Sequence, residues 1–452
     1  MVSESFVDVV GVGFGPSNIS LAIAAKELTP NLQLKFFEAK ANFDWHGNML
    51  FPNAAMQISF LKDLATFRNP LSKFSFLNYL HLHMRLADFA NLSQFCVSRE
   101  EFSDYLSWCA QKFENQVSYG HRVMEVRPQP GPVPLLRVIV EDTDGGQCAV
   151  NARALVCAAG LRPSFPQRCQ PGGRIIHCSK VLETFDSVSC NDAFDVTVVG
   201  GGQSAAEVVE YLHDNFPHCR INAVVSTFGY MPADDTAFVN QIFDSGWVGP
   251  FFDAAEEVKQ EVLARHGTTN YAAVRTDLIA TLYKKSYRDK FFGEKRLNFC
   301  RLTRLYDACE IDERVDLRLF DKLKGRVEEV SSDYLVCATG YSPQPIENIL
   351  APELSDRLHR DDQGRVNFSR TYRVGFEGAM IAPIYCVGMN QYSHGLSSTL
   401  LSNIAIRSGE IIEDLAKNIR KVETAIPAIG VKNNAPRSPD MSGLRGCTDA
   451  QG

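Results

Sequence analysis

The 452-residue chain lacks several features that would place it in other protein classes. It has thirteen cysteines, but no two are spaced C-x-x-C, which argues against a dithiol redox centre and against a zinc site. It has no long basic run, and its net charge of −7 argues against non-specific nucleic-acid binding. No apolar run approaches the length of a transmembrane helix. We therefore expect a protein without a bound metal, a nucleic-acid partner or a membrane segment.

The cysteines and the N-terminus indicate the compartment. Cys157, Cys337 and Cys386 lie within apolar strand-like runs, where cysteine packs as a small hydrophobic residue. That usage fits a reducing compartment better than a disulfide framework. The first strand-like run begins within the first ten residues, which leaves no room for a signal peptide. We expect a cytoplasmic protein of two or three domains.

A glycine turn near the N-terminus predicts a dinucleotide site. A β-branched run from Phe6 to Val10 is followed by G-x-G-x-G-P-S-N and then by a helical pattern. In such a turn the glycines allow a tight bend and close approach to a pyrophosphate, and the following helix offers its N-terminal N–H groups. Proline suits the first helical position because no N–H is needed there. The predicted contacts are Gly11, Gly13, Gly15, Pro16 and Ser17.

An acidic residue at the end of the next strand strengthens this prediction. The run from Leu32 to Phe37 ends at Glu38, where a carboxylate accepts the ribose hydroxyls of an adenosine. A glycine-rich structural turn alone would not require this acid.

A second glycine turn predicts a second dinucleotide. Gly200, Gly202 and Ala205 form a G-x-G-x-x-A pattern after the strand-like run that begins at Val196. The next strand ends at Ser226 and not at an acid, which favours NADPH over NADH, although no arginine stands there to select the 2′-phosphate. Two such turns imply one resident flavin dinucleotide and one reducing nicotinamide dinucleotide. The predicted fold is α/β, with two Rossmann-like domains and a small, mainly helical insertion.

The irregular segment after Glu38 predicts a functional loop. Residues 39–70 are too apolar for a flexible linker and too irregular for one long element, and such loops usually carry function. Lys62 lies in an apolar context, where a lysine is costly unless it meets an anion. A surface lysine whose stem covers apolar neighbours is the alternative. Further along, residues 228–310 read as mostly helical.

Several segments together resemble one family. They are GVGFGPSN, WHGNM, MQISFLKDLATFRNP, GGGQSAAE, FVNQIF, TNY, CATGY and HGLSSTLLSNIAIRSGE, and they span roughly residues 5–415. The chain resembles the microbial N-hydroxylating flavin monooxygenases, which act on L-ornithine N5 or L-lysine N6, and it is most similar to the ornithine enzymes. The histidine signature of broader flavin monooxygenases is not intact, since only His177 lies in a comparable region.

The resemblance implies which residues bind which group. Flavin contacts fall on the segment from Glu38 to His46, which includes Trp45, and on Gln57, Val123, Thr399, Leu400 and Leu401. NADPH contacts fall on Gly201, Gly202, Gln203 and Ser204. Substrate contacts fall on Lys62, Asn240, Gln241, Ile242, Phe243 and Ser402, with Asn270 and Tyr271 between the substrate and NADP.

The resemblance also implies a reaction and a domain plan. NADPH reduces FAD, O2 gives a C4a-hydroperoxyflavin, and the neutral amine of ornithine takes the distal oxygen to give N5-hydroxyornithine for siderophore or peptide biosynthesis. We expect no catalytic acid or base, only support from Asn270 and Tyr271. Lysine or another amine is the alternative substrate, since one methylene is worth only about 1–3 kcal/mol. Expected are a homotetramer, an FAD domain (1–160, 342–425), an NADPH domain (161–245, 285–341), a substrate segment (246–284) and a disordered tail (426–452).

Other readings of the double-dinucleotide pattern are weaker. A flavin disulfide reductase would need a close cysteine pair, and a ketone-oxidising flavin oxygenase would need its histidine signature. A non-catalytic flavin-binding protein predicts loss of the substrate contacts, yet Lys62, Asn240 and Ser402 are present. A diamine has no carboxylate for Lys62, so this lysine favours an amino-acid substrate.

Overall fold

The computed structural model describes residues 5–131, 134–269, 272–378 and 381–424. The predictions for Asn270, Tyr271 and the tail from residue 426 lie outside the described residues. The chain alternates strands and helices twice, once around each glycine turn.

The helices follow in chain order. They are α1 (Pro16–Leu28), α2 (Phe76–Leu82), α3 (Leu86–Leu92), α4 (Arg99–Gln111), α5 (Val181–Phe185), α6 (Gln203–Asn215), α7 (Ala237–Asn240), α8 (Val248–Asp253), α9 (Glu256–His266), α10 (Thr276–Phe291), α11 (Pro352–Ser355), α12 (Gln391–His394) and α13 (Ile404–Thr424). Within the described ranges, none of these helices is both long enough and apolar enough to cross a bilayer.

The strands are shorter, and most belong to two sheets. They are β1 (Ser5–Val12), β2 (Leu34–Glu38), β3 (Val117–Tyr119), β4 (His121–Gln129), β5 (Leu135–Asp142), β6 (Gln147–Cys157), β7 (Leu161–Pro163), β8 (Ile175–His177), β9 (Asp195–Val199), β10 (Arg220–Val224), β11 (Met231–Pro232), β12 (Ala273–Val274), β13 (Leu297–Cys300), β14 (Thr303–Ile311), β15 (Arg314–Asp321), β16 (Arg326–Ser332), β17 (Tyr334–Cys337), β18 (Tyr341–Pro343) and β19 (Ile384–Cys386).

The first sheet has the order β3-β2-β1-β6-β5-β4, and β19 also pairs with β6. The length of β6 makes this possible: its first half pairs with antiparallel β5 and its last three residues pair with parallel β19. Helices α1 and α13 pack together on one face of the sheet, and their apolar residues share one core with β1 and β6. The last strand and helix of the described chain therefore return to the first glycine turn.

The second sheet is wholly parallel, in the order β13-β10-β9-β17-β8. Strands β8, β9 and β17 are almost completely buried, as is typical of parallel strands, and α6 and α10 belong to the core that covers one side. The predicted α/β class with two Rossmann-like units is confirmed.

Residues 228–310 are mostly helical, as the sequence predicts. They contain α7 to α10, together with the short strands β11, β12 and β13 and the start of β14. β13 is only four residues long, and its edge position beside β10 comes from backbone pairing that its own sequence does not reveal.

The two units are joined by more than the covalent chain. After the first sheet the chain enters β7, after the second it enters β18, and these two strands pair with each other antiparallel. Gly160 and Gly340, which precede β7 and β18, both have positive φ (+74° and +81°), so both turns use the freedom of glycine in the same way. The ribbon fixes the carboxyl ends of the two sheets near one another.

Candidate functional site

The first glycine turn leaves no room for side chains on one side and open space on the other. A Cβ added to Gly11 would lie 2.2 Å from the Phe36 ring, and one added to Gly13, at φ +79°, would lie 2.7 Å from the Ala158 carbonyl oxygen. Gly15 is the N-cap of α1, and a Cβ there would meet no described atom within 4 Å. The free N–H groups at the start of α1 therefore face a space suited to a phosphate.

Two polar side chains fix the shape of this turn. Glu38, at the end of β2, accepts the Phe14 N–H at 2.7 Å through Oε2. Asn18, fully buried on α1, donates through Nδ2 to the carbonyl oxygens of Gly13 (2.6 Å) and Val12 (3.1 Å). Glu38, the residue predicted to bind the ribose, thus lies at the turn. Asn18 supports the turn as well, and the sequence analysis did not single it out.

Part of the predicted flavin segment, including Trp45, lines a shallow pocket together with residues of α4. The Trp45 ring packs 5.8 Å from Phe102, and its neighbour His46 adopts a left-handed backbone with φ 55°. The atoms crowded around the still-accessible His46 ring desolvate it, and with repulsion from Arg99 and Lys40 they lower its pKa to about 4. A neutral imidazole results at physiological pH.

The remaining flavin predictions fall on different surroundings. Gln57 has an exposed side chain. Val123 lies in β4 with its side chain buried in the same cluster as Phe37, the residue before Glu38. Val123 therefore supports the end of β2 from beneath.

The second glycine turn has the same architecture. Gly200 has φ +156°, and a Cβ there would lie 2.4 Å from the Ala338 carbonyl oxygen. Gly201 has no described atom within 4 Å of a Cβ position, and Gly202 is the N-cap of α6. Ser204, in the first turn of α6, is half-buried. The open helix N-terminus again fits a pyrophosphate.

The predicted NADPH contact Gln203 belongs to a network between the two units. Its Nε2 donates to Glu207 Oε1 at 3.0 Å, and its Oε1 accepts the Arg275 N–H at 2.9 Å. Arg99, the first residue of α4, donates to both oxygens of Glu207 at 2.9 and 2.8 Å and also to the Met49 carbonyl oxygen at 2.9 Å. A nearly buried bidentate ion pair therefore links the second glycine turn to helix α4 of the first unit, and sequence reasoning missed it.

Two cations meet the end of β10, where the sequence showed only Ser226. Lys322 donates through Nζ to the Ser226 carbonyl oxygen at 2.8 Å. Arg301 donates to the Phe228 carbonyl oxygen at 3.3 Å and lies 4.9 Å from the centroid of that ring. The sequence shows no arginine at this strand end, and these two cations reach it from the connections that follow β13 and β15, much later in the chain.

Lys62 is placed by the buried residue that follows it. The Asp63 carboxylate accepts the N–H groups of Ala65 (2.9 Å), Thr66 (2.6 Å) and Phe76 (2.7 Å) and the Thr66 hydroxyl (2.7 Å). Burial raises the pKa of Asp63, and these hydrogen bonds oppose that rise. Asp63 therefore holds the loop, while the Lys62 side chain remains 21% exposed.

The structure brings Lys62 together with the second substrate segment. Its Nζ lies 4.0 Å from Oδ1 of Asp244, the residue after the short helix Gln241–Phe243. That helix contacts the segment Leu396–Thr399, which leads directly to Ser402. The predicted substrate residues from three distant parts of the sequence therefore converge.

Within the second segment the predicted residues differ in exposure. Asn240 is half-buried, and its Nδ2 donates to the Asp235 carbonyl oxygen at 2.9 Å. Gln241 is exposed, Ile242 is half-buried and Phe243 is 9% exposed. Asn240 and Ile242 thus have partly accessible side chains, while Phe243 anchors the turn.

Buried polar groups surround the predicted flavin contacts Thr399 to Leu401. In the described part of the chain, both amide atoms of Asn390 and Asn403 and the hydroxyl of Ser398 are buried without a hydrogen-bond partner from the protein. Such groups are costly unless a ligand or water satisfies them. Asn390 follows β19, at the carboxyl edge where ligands of parallel sheets bind. These residues therefore fit a polar cofactor such as a flavin.

The buried histidine of the last predicted segment has a structural environment. His394 stacks on Tyr372 with ring centroids 4.1 Å apart, and its Nε2 lies 3.2 Å from the Arg370 carbonyl oxygen. Burial lowers the pKa of His394 to about 4. Among the described residues, no group of three or more histidine, cysteine, aspartate or glutamate side chains could hold a metal ion.

Comparisons with known proteins agree with this geometry. The family described as L-lysine 6-monooxygenase/L-ornithine 5-monooxygenase matches residues 5–343. An L-ornithine N(5)-monooxygenase from Pseudomonas aeruginosa is 38% identical over 91% of this chain and 94% of its own length.

Two of the similar solved structures are enzymes that act on different amino acids. The ornithine N-hydroxylase of Kutzneria sp. 744, solved with reduced FAD, NADP+ and L-ornithine, is 41% identical over 92% of this chain and 100% of that one, with a TM-score of 0.89. The L-lysine 6-monooxygenase of Pseudomonas syringae is 28% identical over 91% of this chain and 100% of that one, with a TM-score of 0.78. Similarity is thus greater to this ornithine enzyme than to this lysine enzyme.

Proposed function

Because the chain belongs to the L-lysine 6-monooxygenase/L-ornithine 5-monooxygenase family, we propose that it hydroxylates the side-chain nitrogen of L-ornithine. The product is N5-hydroxyornithine, for siderophore or peptide biosynthesis. The convergence of Lys62 with the segment after Asn240 carries this proposal, because it supplies a cationic anchor next to a segment that contacts residues 396–399. The predicted flavin-dependent monooxygenase class is confirmed by the family match and by the relatives.

FAD belongs at the first glycine turn and NADPH at the second. Glu38 and the N-terminus of α1 would hold the adenosine and pyrophosphate of FAD, and the N-terminus of α6 would hold the pyrophosphate of NADPH. When bound and reduced, FAD activates O2 and supplies the oxygen atom that reaches the amine. The domain bounds 1–160 with 342–425 and 161–245 with 285–341 remain our proposal for the units around these cofactors, with 246–284 as the substrate segment.

The protein's own residues position the amine and exclude water. Lys62 binds the α-carboxylate through a charge-assisted hydrogen bond, helped by Asn240, so that the length of the substrate decides how far its amine reaches. Ser402 lies beside the flavin contacts and is buried. A buried site also protects the activated oxygen from water. The amine reacts in its neutral form, after its ammonium group has released a proton, and we assign no catalytic acid or base among the protein's residues.

The experiment that tests this function compares three amines. The FAD-loaded protein is given NADPH and O2 with L-ornithine, L-lysine or putrescine, and both NADPH oxidation and hydroxylamine formation are measured. We expect coupled product formation with ornithine and little with putrescine, which has no carboxylate for Lys62. Product from lysine or putrescine but not from ornithine would contradict the substrate assignment, even if NADPH oxidation were stimulated.

Three further expectations stay predictions. They are the cytoplasmic location, the homotetramer and the part played by Asn270 and Tyr271, which lie outside the described residues.

A further inference from the structure

The side chain of Asp244 lies near Lys62 and, among the described residues, makes no hydrogen bond within its own turn. Asp244 is the N-cap residue of the short helix Ser245–Trp247, a position where aspartate usually accepts a backbone N–H. Its side chain makes no capping hydrogen bond there, as far as the described residues show, and its carboxylate instead points to Lys62 Nζ at 4.0 Å.

The distance between the two charges leaves both of them available. At 4.0 Å the ammonium and carboxylate are too far apart for a direct hydrogen bond. The Asp244 side chain is 52% exposed, and that of Lys62 is 21% exposed. The turn itself is held by the main chain, because the Asp244 N–H donates to the Gln241 carbonyl oxygen at 2.9 Å and the Trp247 N–H donates to the Asp244 carbonyl oxygen at 3.1 Å.

We infer that Asp244 is a specificity-determining residue that binds the α-ammonium group of the substrate while Lys62 binds its α-carboxylate. An α-amino acid carries an ammonium group and a carboxylate on the same carbon. Its ammonium group can therefore lie beside Asp244 while its carboxylate lies beside Lys62. A carboxylate without the α-ammonium would gain Lys62 but be repelled by Asp244. The site then selects α-amino acids over ω-amino acids, which have no α-amino group, and over diamines, which have no carboxylate. The inference rests on the proposed function, since it assigns a further contact in the same substrate site.

The test compares two ligands that differ only in the α-amino group. They are L-ornithine and 5-aminopentanoate, which keeps the carboxylate and the terminal amine. Each is titrated calorimetrically into the FAD-loaded wild-type protein and into Asp244→Asn, and KM and kcat are measured for ornithine. Asp144→Asn is the matched control, because Asp144 is an exposed aspartate in the turn between β5 and β6, outside the proposed substrate segment.

The two ligands should respond differently. Asp244→Asn should weaken ornithine binding roughly tenfold, since a charge-assisted hydrogen bond is lost. It should leave 5-aminopentanoate unchanged or bound more tightly, since the repulsion is gone. KM for ornithine should rise much more than kcat falls, and Asp144→Asn should match the wild type.

Other outcomes would overturn the inference. Equal weakening of both ligands would show a merely structural role, and unchanged or tighter ornithine binding would show that Asp244 does not hold the ammonium. If Asp244→Asn does not fold, Asp244→Ser gives the same comparison. Failure of the proposed function is recognised separately, because wild-type protein would then form no hydroxylated ornithine.

Discussion

Lys62 keeps its ammonium group accessible because its neighbour Asp63 holds the loop from within the core. Four hydrogen bonds fix the Asp63 carboxylate, so the adjacent side chain is directed without being consumed. At the scale of residues, the buried Asp63 carboxylate therefore positions Lys62, whose side chain stays partly exposed.

Replacing Lys62 tests the carboxylate anchor directly. Lys62→Met should raise KM for ornithine tenfold or more, because a charged hydrogen-bond donor is worth about 1.5–3 kcal/mol. The rate of flavin reduction by NADPH, measured anaerobically by stopped flow, should change little. Lys73→Met, at an exposed lysine in the same region, is the control. An unchanged KM would remove the anchor from the mechanism.

Lys322 should read the 2′-phosphate of NADPH. Its ammonium lies at the end of β10, where a Rossmann fold places the group that distinguishes NADPH from NADH. Lys322→Gln should weaken 2′,5′-ADP and raise KM for NADPH several-fold, with little effect on 5′-ADP or NADH.

The control for this prediction lies two residues away in the same hairpin. Lys324 is already paired with Glu328 at 2.7 Å and Asp321 at 3.3 Å. Lys324→Gln should leave both cofactors unaffected. If the two variants weaken 2′,5′-ADP equally, the effect comes from overall charge and not from contact with the phosphate.

At the scale of elements, the helix that opens at each glycine turn is held by a contact from elsewhere in the fold. Helix α1 packs on α13, and α6 is tied to α4 through Glu207 and Arg99. The exposed fractions of the Glu207 and Arg99 side chains are only 4% and 14%, so their pairing places the second glycine turn relative to the first unit.

A double-mutant cycle measures the strength of that tie. Glu207→Met leaves the Arg99 guanidinium without its partner, and Arg99→Met leaves the buried Glu207 carboxylate without its partner. Each variant should therefore lower the free energy of unfolding by about 3 kcal/mol. The double variant should cost less than the sum of the two, as measured by urea unfolding of the FAD-loaded protein. Strictly additive losses would show that the two side chains do not stabilise each other.

At the scale of the whole molecule, buried His394 should make stability depend on pH. Folding lowers its pKa from the usual value near 6.5 to about 4, so the folded state resists protonation. The stability it contributes is present above pH 6.5 and lost as the pH falls from 6.5 to 4, by about 3 kcal/mol.

The pH dependence of unfolding checks this expectation. The urea midpoint should fall less steeply between pH 7 and pH 4.5 in His394→Gln than in the wild type. His218→Gln, at an exposed histidine, should keep the wild-type slope. Parallel curves for all three proteins would contradict the role assigned to His394.

The parts of the molecule that were predictable from sequence are local. Both glycine turns, the acid at Glu38 and the helices that begin at Pro16 and Gln203 follow from a few consecutive residues. Their backbone conformations are restricted by glycine, proline and β-branched side chains, whatever the rest of the chain does. The amino acid sequence by itself therefore determined the fold class, the two glycine turns with the helices that follow them, and the family resemblance.

Only the tertiary structure decided which side chains from distant parts of the sequence meet. Lys322 reaches Ser226 from a hairpin almost a hundred residues later, Arg99 meets Glu207 across the two units, and Asp244 faces Lys62. Lys322, Arg99, Glu207 and Asp244 look like ordinary surface charges in sequence, because hydrogen bonds and ion pairs act over a few ångströms in space and carry no signature along the chain. The sheet order and the packing of α13 against α1 bring such charges together, and those depend on the whole core at once.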